Sequence, residues 1–132
     1  MKNVPERFHD LLTEKKAFAH VATLMPDGSP QVTPVWFDVD GDCLRINTAR
    51  GRAKDHNVER DGRIALSIVD PDNPYRALMM RGRVTEITEN GADSHIDQLA
   101  KKYLGRDKYP FAKPGERRVM FKISIDRVAT KE

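Results

Sequence analysis

Asn47-Thr48-Ala49-Arg50-Gly51-Arg52-Ala53-Lys54-Asp55-His56-Asn57 puts the end of a strand, a tight loop and the start of a helix into one short run. Before it, Leu44-Arg45-Ile46 alternates in polarity as the end of a β-strand does. After it, Ala53 to Glu59 contains no breaker and predicts a short helix. A strand that turns straight into a helix leaves the first helical N–H groups without partners, and such groups favour an anion. Arg50, Arg52 and Lys54 crowd that point, so the pattern predicts a docked phosphate. The same residues also describe a solvated basic helix start, a common surface feature. Against that plainer reading, cations at a helix N-terminus oppose the macrodipole at ~0.3 kcal/mol or more each. A bound anion removes the conflict.

The neighbouring segments read as strands. Phe18 to Met25 is apolar on both alternating sets, as in a strand covered on both faces. Pro26-Asp27-Gly28-Ser29 is a turn, and Pro30 to Asp38 returns, so residues 17 to 38 predict a hairpin. Asp38-Val39-Asp40-Gly41-Asp42 turns the chain again into Cys43 to Asn47. Arg60-Asp61-Gly62 leads into a strand from Arg63 to Val69, and Asp70-Pro71-Asp72-Asn73-Pro74 forms a rigid loop. Tyr75 to Thr88 is a long strand in which Gly82 marks a bulge or bend. Val119, Phe121, Ile123 and Ile125 alternate with polar neighbours in a closing strand. Helical spacing appears in Pro5 to Leu12 and in Gly91 to Leu104, where Ile96, Leu99, Ala100 and Tyr103 share a stripe. A loop rich in Pro, Lys and Gly fills Gly105 to Glu116.

These segments describe a mainly β chain with a few helices: six strands in hairpin and meander order, hence antiparallel. Six such strands with so few helices bury themselves best by closing into a small barrel. Residues 1–132 make one domain. With 39% hydrophobic and 33% charged residues the composition is that of a soluble globular protein. No apolar run approaches the ~20 residues of a membrane span, and the N-terminus lacks an apolar signal core, so the cytoplasm is the expected location. A single cysteine, Cys43, excludes a disulfide framework. The net charge of +3 suits an acidic small molecule, and nucleic acid is not the expected partner without a larger excess and interleaved aromatics.

His9, His20, His56 and His95 show no metal spacing, and no nucleophile elbow, Cys/His pair or Gly-rich nucleotide loop is present. No catalytic side chain stands out. A phosphate-sized basic site without an acid–base pair favours a cofactor that carries the chemistry itself. Pro30-Gln31-Val32-Thr33-Pro34-Val35-Trp36-Phe37 adds a second clue. Its two prolines place the strand at an edge or gap, with backbone groups free for a planar polar ring. Gln31, Thr33 and Val35 face one side and Val32, Pro34 and Trp36 the other. Trp36 is expected to pack in the core or at a dimer interface.

Gly28 to Phe37, Asn47 to Val58 and Arg81-Gly82-Arg83-Val84 together resemble the split-barrel flavin and deazaflavin reductases related to pyridoxamine 5′-phosphate oxidase. The resemblance runs from about Phe18 to Val128 and includes Tyr103-Leu104-Gly105; Arg-Ala-Lys-x-x-Asn, at Arg52 to Asn57, is its most specific motif. It implies a six-stranded antiparallel split β-barrel of the FMN-binding kind. By position it implies that Arg52, Ala53 and Lys54 hold the cofactor phosphate, with Thr48 and Asn57 assisting. Gln31, Val32, Thr33, Pro34 and Val35 then lie along the tricyclic ring, mainly through backbone groups. Arg50 adds charge nearby without a matching family role.

Two cofactors fit such a barrel, FMN and the deazaflavin coenzyme F420. The short chain and the Pro-Gln-Val-Thr-Pro-Val-Trp-Phe strand resemble the F420-dependent branch. The chain stops soon after Val128, so the C-terminal substrate elements of the pyridoxamine phosphate oxidases proper are not expected. The resemblance therefore implies an F420H2-dependent oxidoreductase that passes hydride to an unsaturated small molecule. The alternatives are an FMN-binding oxidoreductase and a non-catalytic flavin- or deazaflavin-binding protein. It also implies a homodimer with cofactor sites between subunits, consistent with an apolar face of Trp36, Phe37 and Met79 or Met80. Lys101, Lys102, Arg106, Lys108, Lys113, Arg117 and Arg118 could attract the oligoglutamate tail of F420, and a solvated face explains them equally well.

Overall fold

Alternating apolar residues become seven antiparallel strands in the computed structural model, which describes residues 1–132. They are β1 (Ala19–Leu24), β2 (Pro30–Val35), β3 (Phe37–Asp40), β4 (Cys43–Ala49), β5 (Arg63–Asp70), β6 (Asn73–Thr88) and β7 (Arg118–Lys131). The helices are α1 (His9–Thr13, after a 3₁₀ turn at Glu6–Phe8), α2 (Ala53–Arg60) and α3 (Ala92–Leu104). The strands hydrogen-bond in the order β2-β1-β5-β6-β7-β4-β3. Its two outermost strands are consecutive in the chain and separated by Trp36 alone. The sheet must therefore curl until its edges nearly meet, which makes a barrel split at one seam.

The expected strand from Pro30 to Asp38 is thus two strands, and the count is seven rather than six. Val35 pairs with Ala19 on β1, whereas Phe37 pairs with Ile46 on β4. Trp36 is where the chain changes partners. β2 has a strand neighbour on one side only, the setting in which Pro30 and Pro34 are tolerated.

Inside, Phe8, Phe37, Leu44, Ile46, Phe121 and Ile123 are fully buried in one core. Met80 joins them, so Phe37 and Met80 are core residues and do not form the outward apolar face expected of them. α3 closes the seam from outside. The Tyr103 hydroxyl donates to Ala17 O at 2.6 Å and accepts from Phe37 N at 3.3 Å, and Trp36 stacks on the Tyr103 ring at 5.3 Å. Burial of that phenol pushes its pKa up to about 12, so it stays a donor. No helix is long and apolar enough to cross a membrane.

Gly82 shows why β6 bends. The β6–β7 register slips by one residue between Arg81 and Gly82, and a Cβ at Gly82 would fall 2.0 Å from Ser124 O. That contact is backbone and cannot move aside. Gly82→Ala is expected to destabilise the protein by at least about 2 kcal/mol in urea unfolding. Gly62→Ala, whose new methyl meets nothing closer than Val84 O at 3.4 Å, should stay within about 1 kcal/mol of the parent. Equal stabilities for the two variants would contradict this account of the bulge.

Candidate functional site

The loop from β4 to α2 turns on Gly51, whose φ of +89° suits glycine. Asp55, in the first turn of α2, accepts Gly51 N–H at 3.0 Å and Arg50 Nη1 at 3.1 Å. Arg50 also binds Glu59 at 2.8 Å and Glu89 at 3.2 Å. Arg50 is thereby turned away and neutralised, so it is not among the cations that meet an anion. Its place is taken by Arg118, which the pairing of Ala49 with Arg118 carries to the same spot from β7.

Arg52, Lys54 and Arg118 surround one end of a cleft of about 500 Å³ between β2, the β4–α2 loop, α3 and residues 105–117. Glu116 is the one carboxylate paired there, at 3.5 Å from Arg52 and 2.8 Å from Arg118. Lys54 has no acidic partner, and its Nζ donates to Thr33 Oγ1 at 3.1 Å. Burial pulls its pKa down to about 8, helped by repulsion from Arg52 and Arg118. The negative charge of an anion in the cleft would oppose both by favouring the ammonium form.

Thr48 is 1% exposed, and its Oγ1 has no hydrogen-bond partner. A buried hydroxyl left unpaired costs about 1–3 kcal/mol, so nothing in the folding of this chain favours it there. The N–H groups of Ala53 and Lys54, at the start of α2, have no backbone acceptor either. Backbone donors without acceptors, a lysine without a counter-charge and two arginines that share one carboxylate converge on one corner. The remaining cleft wall is apolar and aromatic: Val35, Trp36, Ile96, Leu99, Tyr109 and Phe111. One end can hold a phosphate and the rest a flat ring system, so these residues fit a phosphate-bearing flavin or deazaflavin.

Among the residues singled out from sequence, Gln31, Thr33, Pro34, Val35, Thr48, Arg52, Ala53 and Lys54 all line the cleft. Val32 does not. It is 62% exposed on the opposite side of β2, beside Met79 and Val128, whereas Pro34 and Trp36, expected on that same side, line the cleft. Asn57 lies behind the site, with its amide 3.0 Å from Thr23 Oγ1, and ties α2 to β1. Most of the loop cations are already partnered. Lys101 pairs with Asp107, Lys108 with Asp97 and Arg117 with Glu89, while Lys102 donates to Phe37 O. Sequence reasoning missed Asn47, Tyr109 and Phe111 as cleft residues. Two aromatics in an otherwise polar loop were the available signal for the last pair.

The family described as pyridoxamine 5′-phosphate oxidase matches residues 4–132. The chain belongs to that family. A solved F420 reductase is 34% identical with a TM-score of 0.83, covering 96% of this chain and 98% of that one. A putative pyridoxamine 5′-phosphate oxidase from Listeria innocua has the same fold at 17% identity and TM-score 0.71, covering 95% of each chain. A conserved hypothetical protein from Mycobacterium tuberculosis shares it at 22% identity and TM-score 0.74, covering 98% of this chain and 85% of its own. No protein of curated function matches. Membership in the pyridoxamine 5′-phosphate oxidase family makes this an oxidoreductase-type barrel with a flavin-type cofactor, and the cleft is the place with the chemistry to hold one.

Thr48→Val separates binding from folding. Because the hydroxyl is unpaired in the free protein, the variant should unfold at the same or a higher temperature than the parent. Its affinity for FMN or F420 should nevertheless drop roughly ten-fold or more, the worth of one hydrogen bond to a charged group. Lost stability with unchanged affinity would show that Thr48 serves the core alone.

Proposed function

We propose that this protein is an F420H2-dependent oxidoreductase that reduces an unsaturated small molecule. The observation that carries the reading is the corner where Thr48 Oγ1 and the first N–H groups of α2 lack hydrogen-bond partners and Lys54 lacks a counter-charge, at the end of a largely apolar slot. The choice of deazaflavin is supported by the F420 reductase, which is 34% identical over nearly the full length of both chains. When bound, the reduced deazaflavin supplies a hydride. Arg52, Lys54 and Thr48 hold its phosphate, and the edge of β2 from Gln31 to Val35 lies along its ring. Trp36, Tyr109 and Phe111 exclude water from the ring and leave room for a substrate stacked on it.

The working unit of this reading is a cytoplasmic homodimer. The outer face of the sheet supports the dimer: His20, Ala22, Val32, Met79 and Val128 line a groove of about 510 Å³ that is largely apolar. FMN is the second reading, supported by the family match, because the same corner suits its phosphate. Storage of either cofactor without turnover is a third.

Titration of the purified protein with FMN and with F420, followed by fluorescence, distinguishes the first two readings, and oxidation of bound F420H2 by an unsaturated substrate separates turnover from storage. F420 should bind more tightly than FMN. Arg52→Ala combined with Lys54→Ala should weaken it at least about 100-fold, given ~1.5–3 kcal/mol per charged hydrogen bond. Tighter binding of FMN would move the assignment to flavin chemistry. Unchanged affinity in the double variant would displace the phosphate from this corner.

A further inference from the structure

Arg118 reaches the cleft through a buried chain of hydrogen bonds. Its Nε donates to Asn47 Oδ1 at 2.8 Å. Asn47 Nδ2 donates to Ala92 O, the first carbonyl of α3, at 2.9 Å and lies 3.1 Å from His95 Nδ1. His95 Nε2 lies 3.0 Å from Asp38 Oδ1. His95 is 2% exposed and Asn47 8%.

The partners at its two ends decide the amide orientation. Arg118 Nε can only donate, so it must face the Asn47 oxygen; Ala92 O can only accept, so it must face the nitrogen. The nitrogen's second proton then points at His95 Nδ1, which has to accept it with its lone pair. The ring proton is left on Nε2, where it donates to Asp38. Arg45 grips the same carboxylate through Nε at 2.9 Å and Nη2 at 2.7 Å. Burial opposes ionisation of Asp38, yet hydrogen bonds from His95 and Arg45 pull its pKa down to about 2, so the acceptor is present at neutral pH.

We propose that His95 is a positioning residue for the cleft: its unprotonated Nδ1 fixes the Asn47 amide, and the amide holds the Arg118 guanidinium towards the anion corner. The order runs from Asp38 through His95 and Asn47 to Arg118, and each member has one role that its neighbours leave it. The proposal rests on the reading of the cleft as an anion site only in what Arg118 is held for. The relay itself is a property of the free protein.

A purely structural role for His95 would reside in its contact with Asp38; the proposed role resides in the acceptor at Nδ1. Two variants separate these atoms. His95→Asn keeps an acceptor near the Nδ1 position and gives up the reach to Asp38. His95→Gln reaches towards Asp38 and gives up the Nδ1 acceptor. Nitrogen-15 NMR of the unliganded parent should show the His95 proton on Nε2, and a proton on Nδ1 would overturn the proposal without any variant. The Arg118 Nε–H should be protected from exchange with water in the parent and in His95→Asn, and exposed in His95→Gln. The reverse order would assign His95 to structure alone. Affinity for F420 should follow the same order, with His95→Gln weaker by roughly ten-fold. If the parent binds neither F420 nor FMN while the Arg118 signal obeys this order, the proposed cofactor fails and the relay stands.

Discussion

Three cations in one corner, only two of them in contact with its single carboxylate, are the constraint to which the site answers. Arg52, Lys54 and Arg118 repel one another in a part-buried corner where Glu116 alone offsets them. A fold with nothing to bind would relax this by turning a side chain outward or by placing an acid nearby, as it does for Arg50. That residue sits two positions from Arg52 and is held by Asp55, Glu59 and Glu89. The two arginines differ: Arg50 has three carboxylates, whereas Arg52 faces the cleft and shares its one carboxylate with Arg118.

The barrel makes that corner possible. Because β2 and β3 are joined by Trp36 alone, the curled sheet brings its edges together beside the β4–α2 loop. The resulting seam is clamped by Tyr103, which binds both Ala17 and Phe37, and by the stacking of Trp36 on the same ring. Side chains that lie far apart along the chain are thus held on rigid elements, and a cofactor phosphate would meet groups already in place.

Much of this was legible in the sequence where the controlling contacts are local. The hairpin of β1 and β2, the first part of the expected hairpin, follows from its turn residues, and the closeness of Arg52 to Lys54 follows from a strand running into a helix. Gly82 announced its bulge because a glycine inside a strand needs a reason. Features set by long-range pairing were hidden. Val35, Trp36 and Phe37 are apolar in a row, which a single strand covered on both faces also shows, so the change of partner that turns one expected strand into two was not singled out. Arg118 looked like one more cation of a basic loop until β7 paired with β4. Asn57 carries the motif's polarity, yet its amide is taken up by Thr23 on β1, a contact that depends on how α2 seats against the sheet.

The central claim is that the unpaired Thr48 hydroxyl and the Lys54 ammonium, which has no counter-charge, receive a cofactor phosphate. A crystal structure of the protein soaked with F420 tests it most directly. The account predicts phosphate oxygens within hydrogen-bond distance of both Thr48 Oγ1 and Lys54 Nζ, with the ring lying along β2. A phosphate held elsewhere, with Thr48 Oγ1 still lacking a partner, would contradict it.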